Sequence, residues 1–368
     1  MRRVYSFGGQ RGNQRLAFAA TPAFYGSAQG KFARNRTNYQ ARAQQTQGIR
    51  SRLTRRYMKM SSIKSPTVEN CLELFRKAVP ALDGVSYKGQ AGRIAVVGGS
   101  TEYTGAPYFA AMAAMRGGAE LSSVYCAESA APAIKSYSPD LIVYPGFDTL
   151  GDDCKSLDRI HAIILGPGLG RSETAAAVVD KVVSYVCRQP KPLVIDADGL
   201  WFIAKSHELR EKIRNGPPEL QITLTPNKVE MDRLQKAMNS SQAENVGKWF
   251  QGRVVLVGKG SSDQIFGENS YVEVSNAGSL KRVGGQGDFL AGLIALCSAW
   301  ISKSTAFQDR ASPDHAVAEV APAVCGCVLT RTAAHRAFLK HGRSLLASDM
   351  LPSVGQAVHE VLAGSSSE

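Results

Sequence analysis

The chain has 368 residues, 44% of them hydrophobic, and 44 Lys or Arg against 31 Asp or Glu, a formal charge of +13. That length can fill one large α/β domain or two small ones, and no unbroken apolar run approaches the roughly 20 residues of a membrane span, so no membrane partner is expected. The charge would suggest nucleic acid, but residues 1–64 hold 14 Lys or Arg and no acidic residue, leaving 30 basic against 31 acidic in the remainder.

That segregation sets the domain organisation. Residues 1–64 form an Arg-rich, acid-free leader with Gln, Ser, Gly and small apolar residues, the composition of a transit peptide for mitochondrion or chloroplast, expected to be disordered. An RNA-binding basic arm is the alternative. The near-neutral remainder argues against a nucleic-acid partner. Met58 and Met60 stand where the leader ends, and translation from either would give a cytosolic form. The folded domain is expected over 65–363, with a disordered tail over 364–368. The seven cysteines include no CxxC pair and lie mostly in apolar stretches, as buried thiols do in a reducing compartment. Cys325-Gly-Cys327 falls in an Ala- and Val-rich helical run, where core thiols are the simpler reading than metal ligands.

After Pro66 a helix is expected, with Thr67 as its cap, Glu69 in the first turn and Leu72, Phe75 and Val79 on one face. Ile94 to Val97 reads as a strand. Gly98-Gly99-Ser100 and Tyr103-Thr-Gly-Ala-Pro107 follow, then an Ala-rich helix ending near Gly117-Gly118. This strand–glycine loop–helix is open between a phosphate site and a tight crossover turn. Short apolar runs recur at Leu121–Tyr125, Leu141–Tyr144, Ala162–Leu165, Leu193–Asp196, Ile222–Leu224 and Val254–Val257. Helical patterns lie between several of them, as at Ala175–Val186 and Val229–Ala237. Strands without alternation, linked by helices, imply an α/β fold whose mostly parallel sheet is covered on both faces. Ligands of such sheets bind at the carboxyl ends of the strands.

The punctuation falls at those ends: Gly166-Pro-Gly-Leu-Gly170, Asp196-Ala-Asp-Gly199, Thr225-Pro-Asn227 and Lys259-Gly-Ser-Ser-Asp263. Asp196 and Asp198 are open between a metal site and a turn. Asn227 and Glu230 either form a capping box or place Glu230 beside phosphates, holding Mg2+ through water. Lys259 to Asp263 reads as a hairpin turn before a strand at Gln264–Phe266, or as a loop covering a nucleotide. Ala316 to Phe338 reads as a core helix, kinked or restarted at Pro322.

The most informative stretch is Arg282-Val-Gly-Gly-Gln-Gly-Asp288, followed by an apolar helix. Its glycines can take backbone angles closed to other residues and deliver Asp288 to a helix N-terminus, where unpaired N–H groups bind phosphate. A carboxylate there can take a proton from a hydroxyl while the N–H groups hold the phosphoryl group that the hydroxyl attacks. An ordinary Asp cap on a glycine turn is the bland alternative.

The ordered series of a glycine loop, Gly-Pro-Gly-Leu-Gly, Asp-Ala-Asp-Gly, Thr-Pro-Asn-x-x-Glu, Lys-Gly-x-x-Asp and Gly-Gly-Gln-Gly-Asp resembles the ribokinase-like superfamily. Within it, the chain is most similar to the ATP-dependent NAD(P)H-hydrate dehydratases, over about Pro66 to Val361. The resemblance implies a three-layer α/β/α fold and a metabolite-repair lyase. Such an enzyme phosphorylates the C6 hydroxyl of the S epimer of hydrated NADH or NADPH with ATP and Mg2+, then releases phosphate to restore NAD(P)H. It implies Asp288 as base and substrate contact. Gly168 and Asn227, Lys228, Val229, Glu230, Met231, Asp232 and Arg233 would hold the hydrated dinucleotide. Lys259, Gly260, Ser261, Ser262 and Asp263, with Gly278, Ser279, Leu280, Lys281, Arg282, Val283, Gly284, Gly285, Gln286 and Gly287, would hold ATP. Ser279-Leu-Lys-Arg-Val283 stands where ADP-using bacterial members often show Met-Ala-Thr, which favours ATP. A ribokinase-like kinase of a vitamin precursor and a non-catalytic nucleotide-binding module are the rival readings. The resemblance leaves open whether the protein is a homo-oligomer.

Overall fold

The computed structural model describes residues 66–84 and 89–364; the leader, its two methionines and residues 365–368 lie outside them. In chain order the regular elements are α1 (Val68–Ala78), β1 (Arg93–Val97), α2 (Gly105–Gly117), β2 (Leu121–Cys126), α3 (Ala131–Tyr137), β3 (Ile142–Pro145), β4 (Ala162–Leu165), α4 (Glu173–Arg188), β5 (Leu193–Ile195), α5 (Asp198–Lys205), α6 (His207–Arg214), β6 (Ile222–Leu224), α7 (Lys228–Ala237), α8 (Ala243–Trp249), β7 (Val254–Gly258), β8 (Asp263–Phe266), β9 (Tyr271–Val274), α9 (Gln286–Ile301), α10 (Thr305–Gln308), α11 (His315–His341) and α12 (Leu351–Ala363). Thr67 caps α1 as expected, accepting a hydrogen bond from the Asn70 N–H, while Asn70 Oδ1 accepts from the Thr67 N–H.

All nine strands form one sheet in the order β3-β2-β1-β4-β5-β6-β7-β8-β9. β1 to β7 pair in parallel, and β8 and β9 fold back antiparallel through the hairpin expected after Lys259. Parallel neighbours need crossovers, so helices cover both faces and successive strand residues enter opposite cores. Ile94, Val96, Ala162 and Ile164 join the core built with α1, α2, α3, α9, α11 and α12. Ala95, Val97, Ile163 and Leu165 join the one built with α4 to α8. The strand order reverses between β1 and β4, which opens a crevice at their carboxyl ends.

Helix α9 is apolar all round and buried from Phe289 to Ile301. It is gripped at backbone distance: a Cβ on Gly292 would lie 2.2 Å from Ala110 O of α2, and one on Gly326 of α11 would lie 2.9 Å from Ile294 N. Only glycine permits approaches this close, and they fix where α9 begins.

Helix α11 does not restart at Pro322: it runs unbroken from His315 to His341 with that buried proline inside it. Proline removes one intrahelical bond, which the packing on α9 and α1 outweighs. By length and composition α11 could also cross a membrane, but 72% of that stretch is buried in the fold, as a core helix is. Cys325 and Cys327 are buried in it, and the Cys325 thiol donates to Cys71 O at 3.4 Å.

Candidate active site

At the switch point the two glycine loops interlock. Gly99 N donates to Pro167 O at 3.0 Å, and a Cβ on Gly98 would lie 2.2 Å from that oxygen. Gly168, at φ +61°, leaves 2.6 Å between an added Cβ and Tyr103 O. Asp198 ties down the second loop, accepting from Gly170 N and Arg171 Nε, each at 2.9 Å. Asp198 is therefore a turn residue, one of the two roles its position left open. The first loop has the tight-crossover geometry.

Asp196 directly follows β5 and is 2% exposed. Its Oδ1 accepts from Thr225 Oγ1 at 2.8 Å and from Lys259 Nζ at 2.7 Å. Ala197, which follows, sits at φ +49°, ψ −118°, a conformation costing a non-glycine residue about 1–3 kcal/mol and characteristic of functional sites. Lys259 Nζ also lies 3.9 Å from Glu230 Oε2. Glu230 completes the capping box, accepting from Asn227 N at 2.8 Å while its own N–H donates to Asn227 Oδ1 at 3.1 Å. Both readings of Glu230 are thus compatible: it caps α7 and it faces the lysine. Burial works against the Lys259 charge, yet Asp196, Glu230 and Asp288 outweigh it and raise its pKa. Burial also raises Glu230, against the opposing pull of Lys259.

The N-terminus of α9 meets this cluster. Gly285 is its N-cap at φ +102°, and a Cβ there would lie 2.8 Å from Ala347 Cβ and 3.3 Å from the Phe109 ring. Asp288 N and Phe289 N both donate to Gly285 O, at 3.0 and 3.2 Å. Among the described residues no hydrogen bond engages the N–H groups of Gly284, Gly285 or Gly287. These orphan donors and the positive end of the helix dipole create an anion site. Gly287 packs on the charged pair: its added Cβ would lie 3.3 Å from Lys259 Nζ and 3.5 Å from Asp196 Oδ2. Asp288 is partly exposed as a residue, but its carboxyl is enclosed by protein. Burial first, and the nearby Asp196 second, hold its pKa well above the usual carboxylate value, against a smaller pull from Lys259. A carboxylate so raised is a stronger base than an ordinary one, and it stands beside donors that can stabilise a phosphoryl group.

A family model for NAD(P)H-hydrate dehydratase matches residues 94–354. The ATP-dependent (S)-NAD(P)H-hydrate dehydratase of Homo sapiens is 42% identical over 310 residues, covering 81% of this chain and 86% of that one. The chain belongs to the NAD(P)H-hydrate dehydratase family. Its fold is ribokinase-like: a ribokinase-like superfamily protein from Enterococcus faecalis superposes with TM-score 0.60 at 20% identity, covering 79% of this chain and 94% of that one. The ADP/ATP-dependent NAD(P)H-hydrate dehydratase from Bacillus subtilis, co-crystallised with ATP and Mg2+, superposes with TM-score 0.58 at 24% identity, covering 82% and 100%.

In this NAD(P)H-hydrate dehydratase fold Glu230, Lys259, Gly287 and Asp288 form one cluster with Asp196. Lys228, Val229 and Asp232 are exposed on α7, Met231 packs against Gly258, and Arg233 lies near enough to Glu230 to favour its charge. Ser261 and Gly260 are exposed on the hairpin, Leu280 is 88% exposed, and Lys281 Nζ donates to Leu345 O at 2.7 Å. Sequence reasoning missed Thr225 as an Asp196 ligand, Phe109 and Ala347 beneath Gly285, and Arg331, which holds Asp263. Of these only Thr225 lay in a singled-out motif. Cavities of about 470 and about 970 Å3 open elsewhere, the smaller at the amino ends of β4 to β7, and no residue of the carboxylate–lysine cluster lines either one.

Proposed function

We propose that this chain is an ATP-dependent repair lyase that returns the S epimer of hydrated NADH and NADPH to NAD(P)H. The observation that carries the reading is the seat of Asp288: a carboxyl of raised pKa on the first turn of α9, beside the free N–H groups of Gly285 and Gly287. Asp288 removes the proton of the C6 hydroxyl, whose oxygen then attacks the γ-phosphorus of ATP as the bond to ADP breaks. The N–H groups and Lys259 stabilise the charge that builds on the transferred group. Phosphate is a far better leaving group than water. The ring nitrogen supplies electrons as the C6–O bond breaks, and loss of a proton from C5 restores the double bond.

Gly168 and Asn227 to Arg233 hold the hydrated dinucleotide. Lys259 to Asp263 and Gly278 to Gly287 hold ATP. The donor set suits magnesium: Asp196 and Glu230 offer hard oxygens, and Glu230 Oε1 accepts no hydrogen bond among the described residues. Magnesium favours a few carboxylates and keeps its own water, so these oxygens would hold it through water and phosphate oxygens. When bound, Mg2+ would neutralise phosphate charge. The composition of residues 1–64 supports import into mitochondrion or plastid.

The test is direct. The full chain is incubated with S-NADHX, ATP and Mg2+ while absorbance at the NADH band is followed. The band should rise only with ATP, with ADP and phosphate released in equal amounts. Asp288→Asn should bind ATP but turn over about a hundredfold more slowly or worse. A protein that binds ATP yet leaves the band flat defeats the reading.

A further inference from the structure

Most of α11 is apolar and buried, yet Arg331, Thr332 and His335 are polar and lie on one helix face, at i+3, i+4 and i+7 from Val328, which joins them through its backbone carbonyl. Each meets the chain between β7 and the glycine turn. Asn276 Nδ2 donates to Val328 O at 3.4 Å and Thr332 Oγ1 at 3.2 Å, and His335 Nδ1 lies 3.3 Å from Gly278 O. Arg331 uses its whole fork: Nε donates to Asn276 O at 2.7 Å, Nη2 to Ser261 O at 2.7 Å and Nη1 to Asp263 Oδ2 at 3.3 Å. The other oxygen of Asp263 accepts from Gly260 N at 3.1 Å, closing the hairpin. With side chains only 15% and 10% exposed, the Arg331–Asp263 pair is poorly screened by water, unlike a surface ion pair.

We infer that Arg331 is the positioning residue of the nucleotide site, fixing the hairpin at 259–263 against the segment leading into 278–287 without touching the reacting atoms. The inference rests on the reading of those two segments as the ATP-holding loops. They are separated in sequence by β8 and β9, and the guanidinium is a direct bridge between them. A planar fork with fixed donors can meet three acceptors at once; an ammonium on a flexible stem cannot hold the same geometry, so lysine should not substitute. Among the described residues Arg331 makes no hydrogen bond or ion pair with Gly168 or residues 227–233. Its loss should therefore weaken ATP selectively and spare the hydrated dinucleotide.

The experiment uses the full chain, with ATP affinity measured by calorimetry in the absence of the second substrate, then KM for each substrate. Arg331→Ala and Arg331→Lys should both bind ATP about tenfold more weakly or worse. Their KM for S-NADHX should stay within about twofold of wild type, as should both constants in Lys340→Ala, an exposed site on the same helix. Should Arg331→Ala not fold, Arg331→Lys, which keeps the stem and the charge, carries the test. ATP affinity unchanged in the variants overturns the inference. So does an equal rise in both KM values, the signature of general loosening. A wild type that binds ATP but does not restore NADH defeats the dehydratase reading and leaves the Arg331 test standing; one that does not bind ATP defeats both.

Discussion

To serve as the base proposed above, Asp288 must be ionised, and its environment resists ionisation. Burial and the charge of Asp196 hold its folded pKa well above the ordinary value. As a base it should place the acid limb of the kcat/KM profile well above the usual carboxylate range. The stability sign follows from the same shift. The stabilising contribution is complete below the unfolded pKa, and is lost as pH rises through the raised folded value. Asn at 288 cannot ionise, so Asp288→Asn should melt at a higher temperature than wild type near about pH 8, with the gap closing toward about pH 4. Melting curves across that range check it; a variant less stable than wild type at the alkaline end would mean that Lys259 dominates the balance. Asp288 and Glu230 were legible in the sequence because glycines and a cap mark a helix start locally. Arg331 was not, since its partner Asp263 is 68 residues away and one arginine in an apolar helix reads as a solvated side chain.

The placement of α9 is a matter of three helices meeting at their backbones. Gly326 of α11 touches Ile294, where an added Cβ would lie 2.5 Å from Cγ1, 2.9 Å from N and 3.0 Å from Cα. Backbone atoms cannot rotate aside, so Gly326→Ala should push α9 away and cost about 1–3 kcal/mol. Because α9 carries Asp288 and its glycine turn, turnover should fall further than stability alone explains. Gly355→Ala is the contrast: in α12 the nearest atom to its Cβ would be Arg116 O at 3.5 Å, ordinary contact. There helix propensity should make the change neutral or stabilising by up to about 1 kcal/mol. Urea midpoints and turnover of the two variants test the pair. Elements were legible where β-branched runs end in glycine or proline, as at β1, β4 and β6. The edge strand β9 and the short helices α3, α5, α6, α8 and α10 were not legible, because four to eight residues carry too little periodicity and tertiary packing decides them; the longer α12 was missed as well.

Along the whole chain, the positive charge is gathered at one end. The 14 basic residues of 1–64 account for the entire positive excess, while the anion site proposed above would work through helix N–H groups and one lysine paired to carboxylates. Anionic substrates are thus met by local donors rather than by a general positive field, whose pull would extend to any polyanion. The leader should then contribute to address and not to catalysis. A chain cut to 65–368 should keep kcat and both KM values within about twofold and lose any salt-sensitive retention on immobilised RNA shown by the full chain. A fluorescent reporter fused behind residues 1–64 should collect in mitochondria or plastids, and one fused behind a chain that starts at Met60 should not. A diffuse reporter, together with RNA retention that survives in 65–368, would mean that the basic excess of the leader is neither an address nor the source of that retention.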